Sequence, residues 1–443
     1  MRLYAALFAI GLVVYGLFAW SRIGHRSGAP QYVYQADAWL HGHASIDPPL
    51  VDADWAKLET VTLDDGSEVR GRRMVTRPAF RVAGGGEIPI ARVRQSRGTT
   101  WYVSFPPLPT LLMVPSAAIS GRDGNDVIPT LLVAALILPL AFAALRRLAE
   151  AGLSKRTVRE DLWLVAALAF GSVLFFSSIG GRVWYTAQVV GVALALVYAR
   201  ASIEARRPIV AGLALGAAAL TRPTMAFMFP LFVFEAWRAA NGDRRAFGRA
   251  LARFAAPIAA FALAGMIYNY VRFGSPTEFG HAFLDVRQQL QIEQWGLASY
   301  HYLARNLAVA FTLLPELPGH SPWIQIGGHG LAMWVTTPLL VLVVWPRDKP
   351  PIHRALWITV ALVAAPVFFY MNSGWVQFGY RFSLDFLPFL VMLIAIGGRP
   401  LGRVAKALIV VGIIVNTFGA ITFERDWEYY RTAGNAYDVV VPN

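Results

Sequence analysis

Apolar runs of about 15 to 20 residues recur along this 443-residue chain, each long enough for a helix to cross most of a bilayer. A soluble core does not need so many. Hydrophobic residues make up 56% of the chain and charged residues only 15%, against about a quarter charged in an ordinary soluble domain. The pattern predicts an all-α polytopic membrane protein with about eleven transmembrane helices.

The expected spans are 3–20, 127–145, 162–178, 189–198, 209–220, 225–237, 254–270, 331–345, 355–370, 384–396 and 407–422. Residues 105–120 are apolar but short, and Pro106, Pro107, Pro109 and Pro115 interrupt them. They fit a re-entrant or juxtamembrane helix better than a crossing. With that segment left out, every basic cluster in a short loop falls on one side, including Arg146-Arg147, Arg206-Arg207 and Arg244-Arg245. Basic short loops mark the cytoplasmic face, so the amino end is expected inside and the carboxyl end outside. Residues 1–20 read as an uncleaved anchor, because no small-x-small cleavage site follows Trp20.

The formal charge of +13 is carried by these loops rather than by one basic face. It therefore reads as membrane anchoring, with no nucleic-acid partner. Absence of cysteine excludes disulfides and thiolate metal sites. The expected organisation is a first transmembrane helix (1–20), an exterior loop with juxtamembrane helices and a small β-hairpin insertion (21–126), a bundle (127–271), a second exterior segment (272–330), a further bundle (331–423) and an exterior tail (424–443). Inside the first loop, alternating residues flank Asp65-Gly66, a hairpin turn signal. No internal repeat is evident, which counts against a transporter built from inverted halves.

Residues 28–49, GAPQYVYQADAWLHGHASIDPP, follow the first span and carry Asp37, His41 and His43. If 32–40 is a helix, Asp37 and His41 share one face. Arg182, Gln188, Arg222, Arg272, Arg381 and Asp385 all fall near expected exterior ends of spans. Such a ring suits a phosphate at the membrane surface, because the guanidinium fork matches phosphate oxygens. Arg381 and Asp385 are four apart and are expected to share a helical face, as are His281 and Asp285 on a surface helix over 281–295. His41 and His43, with Asp37 and Asp47, could also hold a divalent cation. Surface histidines without a metal is the plainer reading.

Five stretches carry a resemblance: YVYQADAWLHG (32–42), SFPPLPTLLMVP (104–115), LALGAAALTRPT (213–224), MIYNYVRFGSPTEFG (266–280) and QFGYRFSLDFLPFL (377–390). In this order they resemble the GT-C superfamily of membrane glycosyltransferases, in particular the bacterial branch related to protein O-mannosyltransferases and lipopolysaccharide sugar transferases. The resemblance implies a bacterial inner-membrane enzyme with its active face periplasmic. It would transfer a hexose or pentose from a polyprenyl-phosphate sugar donor to a glycan, lipid or protein acceptor. It also implies that Arg381 and Arg272, joined by Arg222, hold the donor phosphate, and that an acid in the first exterior loop acts as base. Gly28 and Ala29 stand where the family commonly carries that acid. The base must then come from Asp37, from Asp47 or from an acid elsewhere such as Asp285, or else be absent. Asp37 is the choice, since it lies within the matching segment, with Tyr32, His41, Asp47, Asp285 and Asp385 in support. The alternatives are a transporter or flippase for a lipid-linked glycan, and a family member that binds polyprenyl lipid without turnover.

Overall fold

A computed structural model of the chain describes residues 1–46, 49, 54–286 and 288–431. Helix α1 (Arg2–Ile23) buries Leu7, Gly11, Tyr15 and Ala19, a stripe at every fourth residue. That stripe packs on α4 (Val127–Glu150) so closely that a Cβ on Gly11 would lie 3.0 Å from the Ala135 Cα. The opposite face leaves Ile10, Val13, Leu17 and Trp20 exposed. Such apolar surface is disfavoured in water and suits hydrocarbon. Between these two helices lie α2 (Gln31–Leu40) and α3 (Thr110–Ser120). The eleven residues of α3 span about 16 Å, roughly half the hydrocarbon thickness. Helix α3 is too short to cross the bilayer by itself.

Next come α5 (Val158–Ala169), opened by a Thr157–Glu160 capping box, α6 (Leu174–Ser178) and α7 (Val183–Ser202). Helix α8 (Pro208–Ala219), α9 (Pro230–Ala240) and α10 (Arg244–Phe273) follow. Gly212 lets α8 and α10 touch backbone to backbone, since a Cβ there would lie 2.1 Å from the Phe254 carbonyl oxygen, and Gly216 leaves room for the Phe261 side chain. The carboxyl half holds α11 (Gln289–Trp295), α12 (Leu303–Phe311), α13 (Met333–Thr336), α14 (Ile352–Phe368), α15 (Leu387–Ile396) and α16 (Arg403–Thr422). All ten residues of α15 are buried, so it lies inside the bundle.

Among the described residues five helices, α1, α4, α7, α10 and α16, are long and apolar enough to cross a membrane. The chain is an integral membrane protein. Helices α8, α14 and α15 are apolar but shorter. The other three expected spans are interrupted. Span 162–178 breaks between α5 and α6, where Gly171 packs against α16. Span 225–237 begins as a 3-10 turn (Pro223–Met228) before α9, and 331–345 divides into α13 and a 3-10 turn opened by Pro338. Helix lengths alone therefore do not give eleven crossings.

The insertion is larger than a hairpin. Strands β1 (Trp55–Leu63), β2 (Glu68–Arg73), β3 (Ala79–Val82), β4 (Glu87–Pro89) and β5 (Val93–Val103) form one antiparallel sheet in the order β4-β3-β2-β1-β5. The β1–β2 turn is the one expected, with Gly66 at φ +83° and Asp65 Oδ1 accepting from the Ser67 amide at 2.9 Å. At the other end Trp55 pairs with Val103. Asp54 and Ser104 therefore leave the sheet side by side, toward the bundle.

One local expectation fails. Residues 281–295 are not one helix: a 3-10 turn (His281–Phe283) precedes α11, and Leu284 between them bridges to Ala56. The Asp285 amide donates to the Trp55 carbonyl at 3.0 Å. Edge pairing with β1 satisfies that backbone in place of helical bonds, so His281 and Asp285 never share a helical face.

Candidate functional site

Below the sheet, at one end of the bundle, lies a cavity of about 330 Å³, a volume within the range of small-molecule sites. Its roof is Asp54, Ser104 and the His281–Leu284 turn. Its walls are the first turn of α7, the 221–224 turn after α8, the end of α14 with Tyr370 to Asn372, and Arg381 with Phe382.

Arg381 opens a 3-10 turn (Arg381–Asp385) because its backbone N–H is taken by Gln377 Oε1 at 3.0 Å. Its side chain, 3% exposed, has no hydrogen-bond partner at Nε or Nη1 among the described residues. The guanidinium lies among aromatic rings, 5.4 Å from the centroids of both Tyr185 and Phe382 and 5.9 Å from Trp184. Aromatic faces stabilise the cation without consuming its N–H groups. It is a buried cation in the cavity wall, with two guanidinium nitrogens left unpartnered among the described residues.

Arg222 also lies against Phe382, 5.1 Å from the ring centroid. Its Nε and Nη2 donate to the two Asp385 carboxylate oxygens at 3.0 and 2.8 Å, and Thr224 Oγ1 donates to the same carboxylate at 2.6 Å. In a 3-10 turn the side chains follow a three-residue period. Asp385 accordingly faces Arg222 rather than sharing a face with Arg381, which corrects the expectation of an Arg381–Asp385 pair.

Among the described residues, the acid at the cavity is Asp54. Its Oδ2 accepts from the Trp184 indole N–H at 3.2 Å. Burial pushes its pKa up, with the Trp184 bond and the Arg381 charge pulling the other way. His281 lines the same roof, and burial, helped by the Arg272 charge, lowers its pKa to about 4. It is a neutral imidazole at pH 7. Among the described residues the cavity thus offers the Asp54 carboxylate, the Arg381 guanidinium beside the ion-paired Arg222, a neutral imidazole and apolar walls.

The other sequence-derived candidates sit elsewhere. Asp37 and His41 do pair across one turn of α2 at 3.6 Å, but Arg122 also approaches Asp37, at 3.5 Å, and neither lines the cavity. His43 is exposed, and Asp47 falls outside the described residues. Among the described residues no three His, Asp or Glu side chains gather as metal ligands. Asp285 is exposed, 3.9 Å from Lys57. Arg272 is a structural clamp: Nη1 donates to the Val103 carbonyl at 2.6 Å, and the guanidinium lies 4.0 Å from the Tyr268 ring centroid. Tyr268 in turn accepts from Gln35 at 2.7 Å and from Trp39 at 3.1 Å. Helix α2 is therefore tied to α10 and the sheet. Tyr32 is buried behind the wall, its ring 6.4 Å from that of Phe105, and its hydroxyl has no partner. Arg182 pairs with Glu424 at 3.2 Å.

Sequence reasoning missed Asp54 and Trp184. The only signal for Asp54 was an acid directly before the first strand of the insertion, in VDADW. That position is uninformative until the strand pairing shows which end of the sheet meets the bundle.

Neither a protein-family model nor a curated protein sequence matches this chain. Three solved structures of the oligosaccharyltransferase of the archaeon Archaeoglobus fulgidus are similar at 13% identity, each covering 98% of this chain. The apo form has a TM-score of 0.44 with 57% of its length covered. The form tethered to an acceptor peptide containing the NVT sequon has 0.45 and 56%. The AglB complex with an inhibitory peptide and a dolichol-phosphate has 0.44 and 56%. The chain thus spans less than two thirds of those proteins.

Proposed function

We propose that the chain is a GT-C-type membrane glycosyltransferase that moves a sugar from a polyprenyl-phosphate donor to an acceptor hydroxyl in the Asp54–Arg381 cavity. The observation that carries this reading is that one cavity is lined by both a carboxylate, Asp54, and a buried guanidinium, Arg381, with two unpartnered nitrogens among the described residues. Glycosyl transfer from a lipid phosphate needs those two groups and little else.

In the proposed step the acceptor hydroxyl gives its proton to Asp54 as its oxygen bonds to the anomeric carbon. The bond from that carbon to the phosphate oxygen breaks, and its electron pair leaves with the polyprenyl phosphate. Arg381 stabilises the charge that the phosphate gains, and being fixed beforehand among aromatic rings it needs no reorganisation. Arg222, its charge compensated by Asp385, holds the wall beside Phe382. Asp54 takes the role that the sequence assigned to Asp37, and Arg381 keeps the phosphate role. The cavity is then expected on the exterior, periplasmic face of a bacterial inner membrane, where the donor headgroup would reach it from the bilayer.

The test is release of polyprenyl phosphate from a polyprenyl-phosphate sugar in membranes that supply the acceptor. Release by the wild type and its loss in Asp54→Asn support transfer. Donor binding without release by the wild type would leave a lipid-binding protein in place of an enzyme. Movement of intact donor across the membrane would make it a flippase.

A further inference from the structure

At the opposite end of α7 from the cavity, a second and smaller pocket has a different chemistry. Trp184 at the cavity and Arg200 at this pocket are sixteen residues apart on α7, about 24 Å along its axis. The pocket is about 70 Å³ and lies between α4, α7 and α8. Arg200, Arg206 and Arg207 rim it, and Leu140, Val197 and Val210 line its apolar side.

The local carboxylates are already engaged. Glu204 is held by Arg147, and Glu235 accepts from Arg238 at 2.9 and 2.7 Å and from the Glu204 amide at 2.7 Å. Among the described residues no carboxylate lies within ion-pair distance of Arg200, Arg206 or Arg207, which are all exposed. Arg147 also lines the pocket. It is 7% exposed, and its Nε has no hydrogen-bond partner. The first turn of α8 directly follows Arg207 and contains no acidic residue, so its open amides add to the positive potential.

We infer that this pocket binds the phosphate of an anionic phospholipid from the leaflet opposite the cavity. The volume admits one phosphodiester group. The apolar side, formed by α4, α7 and α8, continues down the bundle where acyl chains would lie. A free anion would gain nothing from that wall, whereas an amphiphile uses both surfaces. The inference does not depend on the transferase reading.

The test uses the full chain in detergent micelles and counts lipid adducts by native mass spectrometry. The probes are phosphatidylglycerol, phosphatidylcholine of the same acyl chains, and inorganic phosphate as competitor. The wild type should prefer phosphatidylglycerol by at least about tenfold, with each arginine removed weakening its binding roughly fivefold. Arg200→Gln/Arg206→Gln/Arg207→Gln should abolish the preference. Arg244→Gln/Arg245→Gln/Arg249→Gln removes equal charge from the start of α10 and should leave it intact. Val210→Asp, at an exposed rim position, repeats the test without removing an arginine. Persistence of the preference in the first triple variant and in Val210→Asp overturns the assignment. So does equal loss in the α10 variant, or full displacement by millimolar phosphate.

Discussion

Arg222 and Asp385 form a two-point ion pair beside the cavity, at 3.0 and 2.8 Å, with Thr224 bonding the same carboxylate. The pair joins the turn after α8 to the turn before α15, and it separates the two arginines by function. Arg222 is neutralised and positioned, whereas Arg381 keeps unpartnered donors.

Removing Asp385, which is buried, should leave the partly buried Arg222 guanidinium uncompensated. Asp385→Ala is expected to lose about 3–5 kcal/mol of stability. Arg222→Met/Asp385→Leu, which removes both charges, should lose much less. Thermal unfolding of the solubilised protein compares them, and equal losses would show that the pair is solvated.

Asp54→Asn should lower transfer by about 10²- to 10⁴-fold, the usual contribution of a general base. Donor affinity should hardly change. Asp37→Asn, off the cavity, should stay near wild type. The reverse pattern in a release assay would return the base role to α2.

Arg381→Ala is expected to weaken donor binding between about tenfold and a hundredfold, the value of charge-assisted hydrogen bonds. Arg381→Lys should recover part of it, since one ammonium replaces a fork. Titration with the donor lipid decides the point. An Ala variant with wild-type affinity would remove the phosphate role.

The rate should rise with pH through the Asp54 titration, because only the carboxylate accepts a proton. Burial raises that pKa from its ordinary 3.8, so the acidic limb should lie above the usual aspartate range. The same shift favours the protonated form in the folded state. Its stabilisation is full below the ordinary value and is lost as pH rises through the folded one. A pH–rate profile of the wild type against Asp37→Asn should show one shared limb.

Arg272→Gln should loosen the sheet rather than impair donor binding, because Arg272 bonds the Val103 carbonyl and stacks on Tyr268. Faster proteolysis between 55 and 103 at unchanged donor affinity is expected. A selective loss of donor affinity would place Arg272 on the phosphate after all.

Much of the architecture was legible in the residues because lipid imposes long apolar runs and turn glycines impose hairpins. The first span, the α2 helix, the Asp65-Gly66 turn and the short Pro-rich α3 are all local consequences of composition and spacing. The sequence by itself also pointed to Arg381 and Arg222, since a cation next to an apolar span is costly unless it has work or a partner. Which of those two applied was a tertiary matter. Asp385 neutralises Arg222 from 163 residues away, while Val103 occupies Arg272 from 169. The acid was likewise undecidable locally. Asp37 and Asp54 are both aspartates in one polar segment, and only the pairing of Trp55 with Val103 turns Asp54 toward the bundle. Burial, and with it a raised pKa, comes from what the rest of the chain places around a side chain.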